Sequence, residues 1–418
     1  LPLSGLLAPP YDVLDEASKR QLQARHPNNI VTVDLPFTPP KSVGPDEVYT
    51  RANETLHAWI SGGILRKDSR PAMYPYMQSY EHNGRTYHRK GFICLVRLSP
   101  FGTGHVVPHE KTYAGPIEDR LRLMRHTGVQ LSPIFGLYSD PRHEVTRLLF
   151  EHVGKPEADG VLDGVHNKLW SVIDANIEHK VIDLLGLKPV YIADGHHRYT
   201  TALHYQHEME RAYGGPLPPS HPANWCMFVL VGMQDDGLIV LPTHRLLGNI
   251  PGFHPDALFA ALGNQWDVSS TPLTPDHVDE YAATVLPLRP VHTFGLYCAR
   301  TARLYQLTLK NPDLLAPLEP NQSDSWRRLD VAILHRYLID EIIGPRFALE
   351  GGVRLGYTAD AKEVVPKTDG ATYQAAVLLK STPLGALEQL GRHGEVMPQK
   401  STYFYPKLAT GMTLYPLQ

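Results

Sequence analysis

Cysteine is scarce in this 418-residue chain, with only Cys94, Cys226 and Cys298 and no CxxC pair. An odd count without paired spacing argues against a disulfide framework or a cysteine zinc site, and implies reduced thiols in a cytoplasmic protein. An excess of charge is also missing: 40 Lys and Arg stand against 43 Asp and Glu. That balance excludes a global electrostatic footprint for nucleic acid or for an anionic membrane, so any anion site is local. Apolar runs such as "MFVLVGM" are far too short to cross a bilayer, and the opening "LPLSGLLAPPYD" lacks the basic start of a signal peptide. There is no internal repeat and no low-complexity stretch. With the 37 prolines scattered, no long flexible linker is expected.

Several catalytic signatures are absent as well. No GxxxxGK phosphate loop and no GxSxG elbow occur. His109 and Glu110 resemble the start of a zinc-protease HExxH, but the fifth position is Tyr113, so the metalloprotease reading fails.

What remains is an ordinary globular composition, 42% hydrophobic and 20% charged, long enough for two or three domains. "APPYDVL" reads as a proline-fixed turn, followed by a short helix and a strand from Ile30 to Leu35. "PDEVYTRANETLHAWISGGIL" carries helical spacing that stops at Gly62 and Gly63. "AMYPYMQSYE", "HNGR" and "GFICLVRL" suggest a hairpin, "EDRLRLMRHT" a helix and "SPIFGLYS" a strand. "KPVYIADGHHRYTTALHYQHEMERAY" is strand, corner and helix, and "WCMFVLVGM" and "GLIVLPTHRLL" are strands. From "NIPGFHPD" onward a second unit is expected, with strands "TFGLYCAR", "RLYQLTLK" and "TYQAAVLLKST" around the amphipathic helix "RRLDVAILHRYLIDEIIG". The expected division is an α/β domain over 1–245 and an α+β domain over 246–418, whose tail 395–407 returns to the site.

The densest chemistry lies in "ADGHHRYTTAL", residues 193–203. A helix N-terminus presents unpaired N–H groups and a partial positive charge, which suits phosphate or carboxylate. Gly195 permits a backbone conformation closed to other residues, or the close approach of a ligand. Arg198 in the first turn has the wrong sign for the helix dipole unless an anion neutralises it, which points to a bound anion held by Arg198 with His196 or His197. Asp194 has three open roles: helix cap, metal ligand, or partner of a reacting hydroxyl. The plainer alternative is a capping Asp194 and a solvated Arg198. His197, His204 and His207 share one helical face, so a zinc site is conceivable, though coincidence is easy among 22 histidines.

Two further stretches carry candidates. In "VVPHEKTYAGPIEDR", Glu110 sits beside His109 and Lys111 and can serve as general base to a substrate hydroxyl, or simply be a solvated loop residue. In "EVMPQKSTYFYPKLATG", Lys400, Ser401 and Thr402 form a plausible phosphate cradle, and Tyr403, Phe404 and Tyr405 either stack on a base or anchor the chain on the core.

"APPYDV" (8–13), "VPHEKT" (107–112), "ADGHHRY" (193–199) and "MPQKSTYFYPK" (397–407) resemble a widespread prokaryotic family catalogued only as a domain of unknown function, over nearly the whole chain. The last three, in that order, also resemble motifs of the archaeal free serine kinases of the ParB/sulfiredoxin-like superfamily. The resemblance implies an α/β (α+β) ParB/sulfiredoxin-like core with a mixed sheet, and phosphoryl transfer to free L-serine or a similar small alcohol. It implies Glu110 as base and Asp194 assisting the hydroxyl or a Mg2+ ion. His109, Gly195, His196, His197 and Arg198 would bind phosphate, and Lys400, Ser401 and Thr402 would close over it. ATP, ADP or pyrophosphate would be the donor, and neither nucleic acid nor membrane a partner. Three departures stand out: the long stretch between Glu110 and Asp194, Ser401 in place of threonine, and aromatic residues after it. The N-terminal 90 residues have no counterpart in the kinases, and "PPYD" is expected near the acceptor. The competing readings are a nucleotide-binding switch without phosphotransfer, which needs no base, and a hydrolase, for which no motif speaks.

Overall fold

The computed structural model describes residues 3–110, 114–151, 153–186, 188–270 and 275–417. The chain divides into two compact units. One comprises Leu1–Pro108, Thr112–Ile239 and Pro406–Gln418, the other His109–Lys111 and Val240–Tyr405.

The first unit is built on an eight-stranded mixed sheet. Its longest pairing is the hairpin of strands Tyr74–His82 and Arg85–Arg97. Asn83 and Gly84 turn it with φ of 49° and 72°, the left-handed pair that a two-residue hairpin loop demands and that Asn-Gly supplies. Strand Trp225–Gly232 runs antiparallel to the second hairpin strand and parallel to Ile134–Tyr138. Ile134–Tyr138 in turn pairs antiparallel with Val190–Asp194, which also takes Val106–Val107 in parallel. Strands so flanked are buried on both faces, as the continuous apolar runs suggest. Phe92, Ile134, Ile192, Tyr199 and Phe228 pack into one core.

The expected strand from Ile30 to Leu35 is corrected: Val31–Asp34 is a helical turn. The side chain of Asn29 accepts from the Val31 N–H at 3.0 Å, and Asp34 N–H returns to the Ile30 carbonyl at 2.8 Å. β-Branched composition is a weak preference, and here local capping together with burial against Tyr49, Leu56 and Trp59 overrides it.

The second unit holds a six-stranded sheet, antiparallel throughout, in which His244–Gly248 lies between Arg354–Thr358 and Ala375–Leu378. The amphipathic helix appears as Asp330–Phe347, wound through Ile333–Ile343 with the wider turns of a π-helix. Thus the α/β class with a mixed sheet and an additional α+β unit is what the chain adopts. Cys94, Cys226 and Cys298 are all free thiols on strands. Among the described residues no helix is long and apolar enough to cross a membrane.

Candidate functional site

In the first unit the chemistry collects where strand Val190–Asp194 meets helix His196–Tyr213. Apolar Val190–Ala193 are buried in the sheet, which leaves Asp194 at the strand end, half-buried and registered opposite Phe135. Gly195 precedes the helix with φ 98° and ψ 26°, a left-handed conformation that glycine adopts without strain. A Cβ there would also lie 3.1 Å from Cζ of Arg198, so the glycine admits the guanidinium as well as the turn. The helix is seated by Tyr199, whose hydroxyl donates to the Ser99 carbonyl at 2.8 Å and accepts from the Ser99 N–H at 3.0 Å. His196 is buried in the first turn, and His197 is half-buried.

The counter-charge that Arg198 needs comes first from the protein. Its Nη2 lies 3.5 Å from Oδ2 of Asp194, and its Nη1 donates to the Pro133 carbonyl. The Asp194 side chain therefore pairs with Arg198 across one helical turn. Lys407 is a second cation on the same oxygen, with Nζ 3.4 Å from Asp194 Oδ2. Two cations converging on one carboxylate beside a helix N-terminus leave the corner electropositive, the condition for taking an anion.

Lys407 is itself held from behind. Gln78 donates to its carbonyl at 3.1 Å, and the buried Arg89 donates to the Pro406 carbonyl at 2.6 Å. Gln78 and Arg89 are cross-strand partners in the hairpin, and the Arg89 guanidinium donates to the Gln78 carboxamide. Burial lowers Arg89 to about 10, so it remains charged at neutral pH. The signal for Lys407 is its place at the end of "MPQKSTYFYPK". Gln78 and Arg89 left no signal, since polar residues on a strand read as solvent-facing.

The second unit carries the other candidates. Glu110 forms an isolated β-bridge with Met397, which brings the late segment alongside. The backbone N–H of Ser401 donates to Oε1 of Glu110 at 3.1 Å, and His109 Nε2 lies 3.6 Å from that oxygen and 2.9 Å from the Thr402 hydroxyl. His109, Glu110, Ser401 and Thr402 are thus brought together. Lys400 is exposed, with φ 56°, and has no partner among the described residues. Ser401 is buried and its hydroxyl donates to the Pro398 carbonyl, so a bond to phosphate would replace that one. Phe404 is fully buried, an anchor rather than a stacking platform. Lys111, Thr112 and Tyr113 lie outside the described residues.

A residue without sequence signal supports this loop. Arg245, fully buried on strand His244–Gly248, donates to the Gln399 carbonyl at 3.0 Å, to the Thr243 carbonyl and to Nε2 of His335 at 3.2 Å. Burial lowers its pKa to about 10, with the nearby Glu110 charge opposing. The same burial, with Arg245 beside them, depresses His335 to about 3 and His244 to about 4, so both rings are neutral at pH 7.

Among the described residues no group of three or more His, Cys, Asp or Glu could hold a metal ion, which includes the His197, His204 and His207 face. Asp194, with two cations within 3.5 Å, is poorly suited to ligate Mg2+, because their charges oppose a dication.

The model of a family described as a protein of unknown function (DUF1015) matches residues 2–332. No curated protein matches the chain. Among solved structures, a variant of a free serine kinase in complex with AMP aligns over 75% of this chain and 86% of its own, at 12% identity and TM-score 0.36. SbnI with a C-terminal truncation, from Staphylococcus aureus, aligns over 76% and 85% at 10% identity and TM-score 0.36. A conserved hypothetical protein from Pyrococcus furiosus aligns over 76% and 92% at 13% identity and TM-score 0.32.

Proposed function

This chain belongs to the DUF1015 family, and we propose that it is a small-molecule kinase that transfers a phosphoryl group to the hydroxyl of free L-serine or a similar small alcohol. The observation that carries the reading is the corner at Asp194–Arg198, where a helix N-terminus, a left-handed glycine and two cations on one carboxylate prepare a place for phosphate. Phosphoryl transfer asks little covalent chemistry of a protein. It needs alignment, positive donors around the equatorial oxygens and an acceptor for one proton.

In this assignment the acceptor oxygen forms a bond to the terminal phosphorus of ATP, ADP or pyrophosphate as the bridging P–O bond breaks, and the hydroxyl proton passes to Glu110. Arg198, Lys407, His196 and His197 hold phosphate. The Ser401 N–H, His109 and Thr402 orient the base. Magnesium would enter as the counter-ion of the donor phosphates rather than as an ion held by Asp194.

The test is phosphorus NMR on the purified chain with L-serine, Mg2+ and, in turn, ATP, ADP or pyrophosphate. A new phosphomonoester signal that requires serine supports the kinase and names its donor. A donor that binds yet stays intact favours a nucleotide-binding switch of ParB-like type.

A further inference from the structure

Arg245 is fully buried, yet the groups that receive its N–H bonds are all neutral. Nη1 donates to the Thr243 carbonyl, Nη2 to the Gln399 carbonyl at 3.0 Å and Nε to Nε2 of His335 at 3.2 Å. Beside it, His244 accepts the Leu379 N–H through Nδ1 at 3.2 Å. Burial, with the guanidinium adjacent, holds both histidine rings uncharged. The Tyr357 ring, from the paired strand, has its centroid 5.4 Å from Cζ of Arg245. Among the described residues these partners satisfy the donors without bringing a counter-ion into contact, a costly state for a buried cation. The carboxylate whose charge acts on Arg245 is Glu110.

A structural link joins the two through the turn 398–401. Lys400 has φ 56°, a left-handed conformation that costs a non-glycine residue free energy and persists where its neighbours enforce it. Carbonyls along this turn are clamped in succession: Pro398 by the Ser401 hydroxyl, Gln399 by Arg245, and Ser401 by the Thr382 hydroxyl at 2.7 Å. So held, the Ser401 N–H meets Glu110 Oε1 at 3.1 Å. Of these clamps, Arg245 is the one that also carries charge. Behind it, His335 stands on the π-wound stretch Ile333–Ile343, a winding often met at functional sites.

We propose that Arg245 is a positioning residue for Glu110: its bond to the Gln399 carbonyl sets the turn that aims the Ser401 N–H, and its charge keeps the carboxylate ionised. A nearby cation favours the charged form of a carboxylate, against the desolvation that disfavours it. His109 also faces Glu110, with Nε2 3.6 Å from Oε1, and is engaged by the Thr402 hydroxyl. The coupling of Arg245 to Glu110 stands on these contacts alone. Its service to proton transfer rests on the kinase reading.

The experiment is carbon NMR of the full chain labelled at its glutamate side-chain carboxyl carbons, with the Glu110 resonance assigned by Glu110→Gln. In Arg245→Gln that resonance should titrate about half a pH unit or more higher than in the unaltered chain. The acid limb of the kcat profile for serine phosphorylation should move up with it, while pyrophosphate affinity stays within about twofold, a split that a merely structural role would not produce. Because Arg245 is buried, a second measurement needs no change to it. In the unaltered chain the Arg245 Nε–H resonance should shift as Glu110 titrates, and it should lose that response in Glu110→Gln. An unmoved Glu110 titration in folded Arg245→Gln, an Arg245 resonance indifferent to Glu110, or kcat and pyrophosphate affinity falling together would each overturn the proposal. Both NMR responses without phosphomonoester formation from any donor would keep the coupling and dismiss the kinase.

Discussion

The backbone N–H of Ser401 donates to the carboxylate of Glu110 at 3.1 Å, so the late hydroxyl-rich segment is the element that fixes the proposed base. One N–H on a carboxylate stabilises its charged form, and a base must be charged to accept a proton. Glu110→Gln keeps the acceptor atom for Ser401 but cannot take the proton. Turnover should fall by about 10²- to 10⁴-fold, while donor binding measured by titration changes little. Full activity in this variant would remove Glu110 from the mechanism.

Arg198 and Lys407 are expected to act on phosphate affinity rather than on proton transfer. Replacing either with Ala should weaken pyrophosphate or nucleotide binding by about 1.5–3 kcal/mol, the range for hydrogen bonds to charged groups. Isothermal titration on each variant reads this directly. A loss confined to kcat would contradict the assignment.

Gly195 should be intolerant of even one methyl group. Alanine at φ 98° is strained, and its Cβ would meet the Arg198 guanidinium at 3.1 Å. Gly195→Ala should cost roughly 1–2 kcal/mol in folding stability from the left-handed backbone alone. Thermal unfolding would show it, and phosphate affinity should fall with it because Arg198 is displaced.

Stability should decline as the medium turns mildly acidic, on account of two histidines in the second unit. His335 and His244 fall from an ordinary 6.5 to about 3 and about 4 in the folded chain. Between those values and 6.5 the unfolded chain binds protons that the folded chain refuses, so stability rises with pH across that window and is lost as pH falls through it. A melting series from pH 8 to pH 5 should show the decline beginning near 6.5. His335→Gln should flatten it.

Much of the fold was legible because local rules decided it. The Asn83–Gly84 turn announced its hairpin, and Gly62, at the end of helix Asp46–Ser61, marked the helix stop. The run from Ile30 to Leu35 misled because its composition suits a strand, while its conformation depends on Asn29 and on distant packing partners. The corner at 193–198 was legible as a charged strand-to-helix turn, yet the inference of a bound anion from Arg198 alone overlooked that Asp194 supplies a counter-charge one turn back. Lys407, Arg89 and Arg245 act through contacts between segments far apart in sequence, which no local pattern encodes.

The pairing of Gln78 with Arg89 reaches beyond the site. A buried guanidinium whose partners include the carbonyl of Pro406 makes the hairpin dependent on the segment that bears Lys407. Were that segment to detach, the fold would be left with a desolvated cation short of a partner, a fault costing more than the loss of one surface contact. The corner is therefore either complete or the sheet beneath it is weakened. Proteolytic nicking just before residue 406 should register as a fall in unfolding temperature as well as a loss of anion affinity.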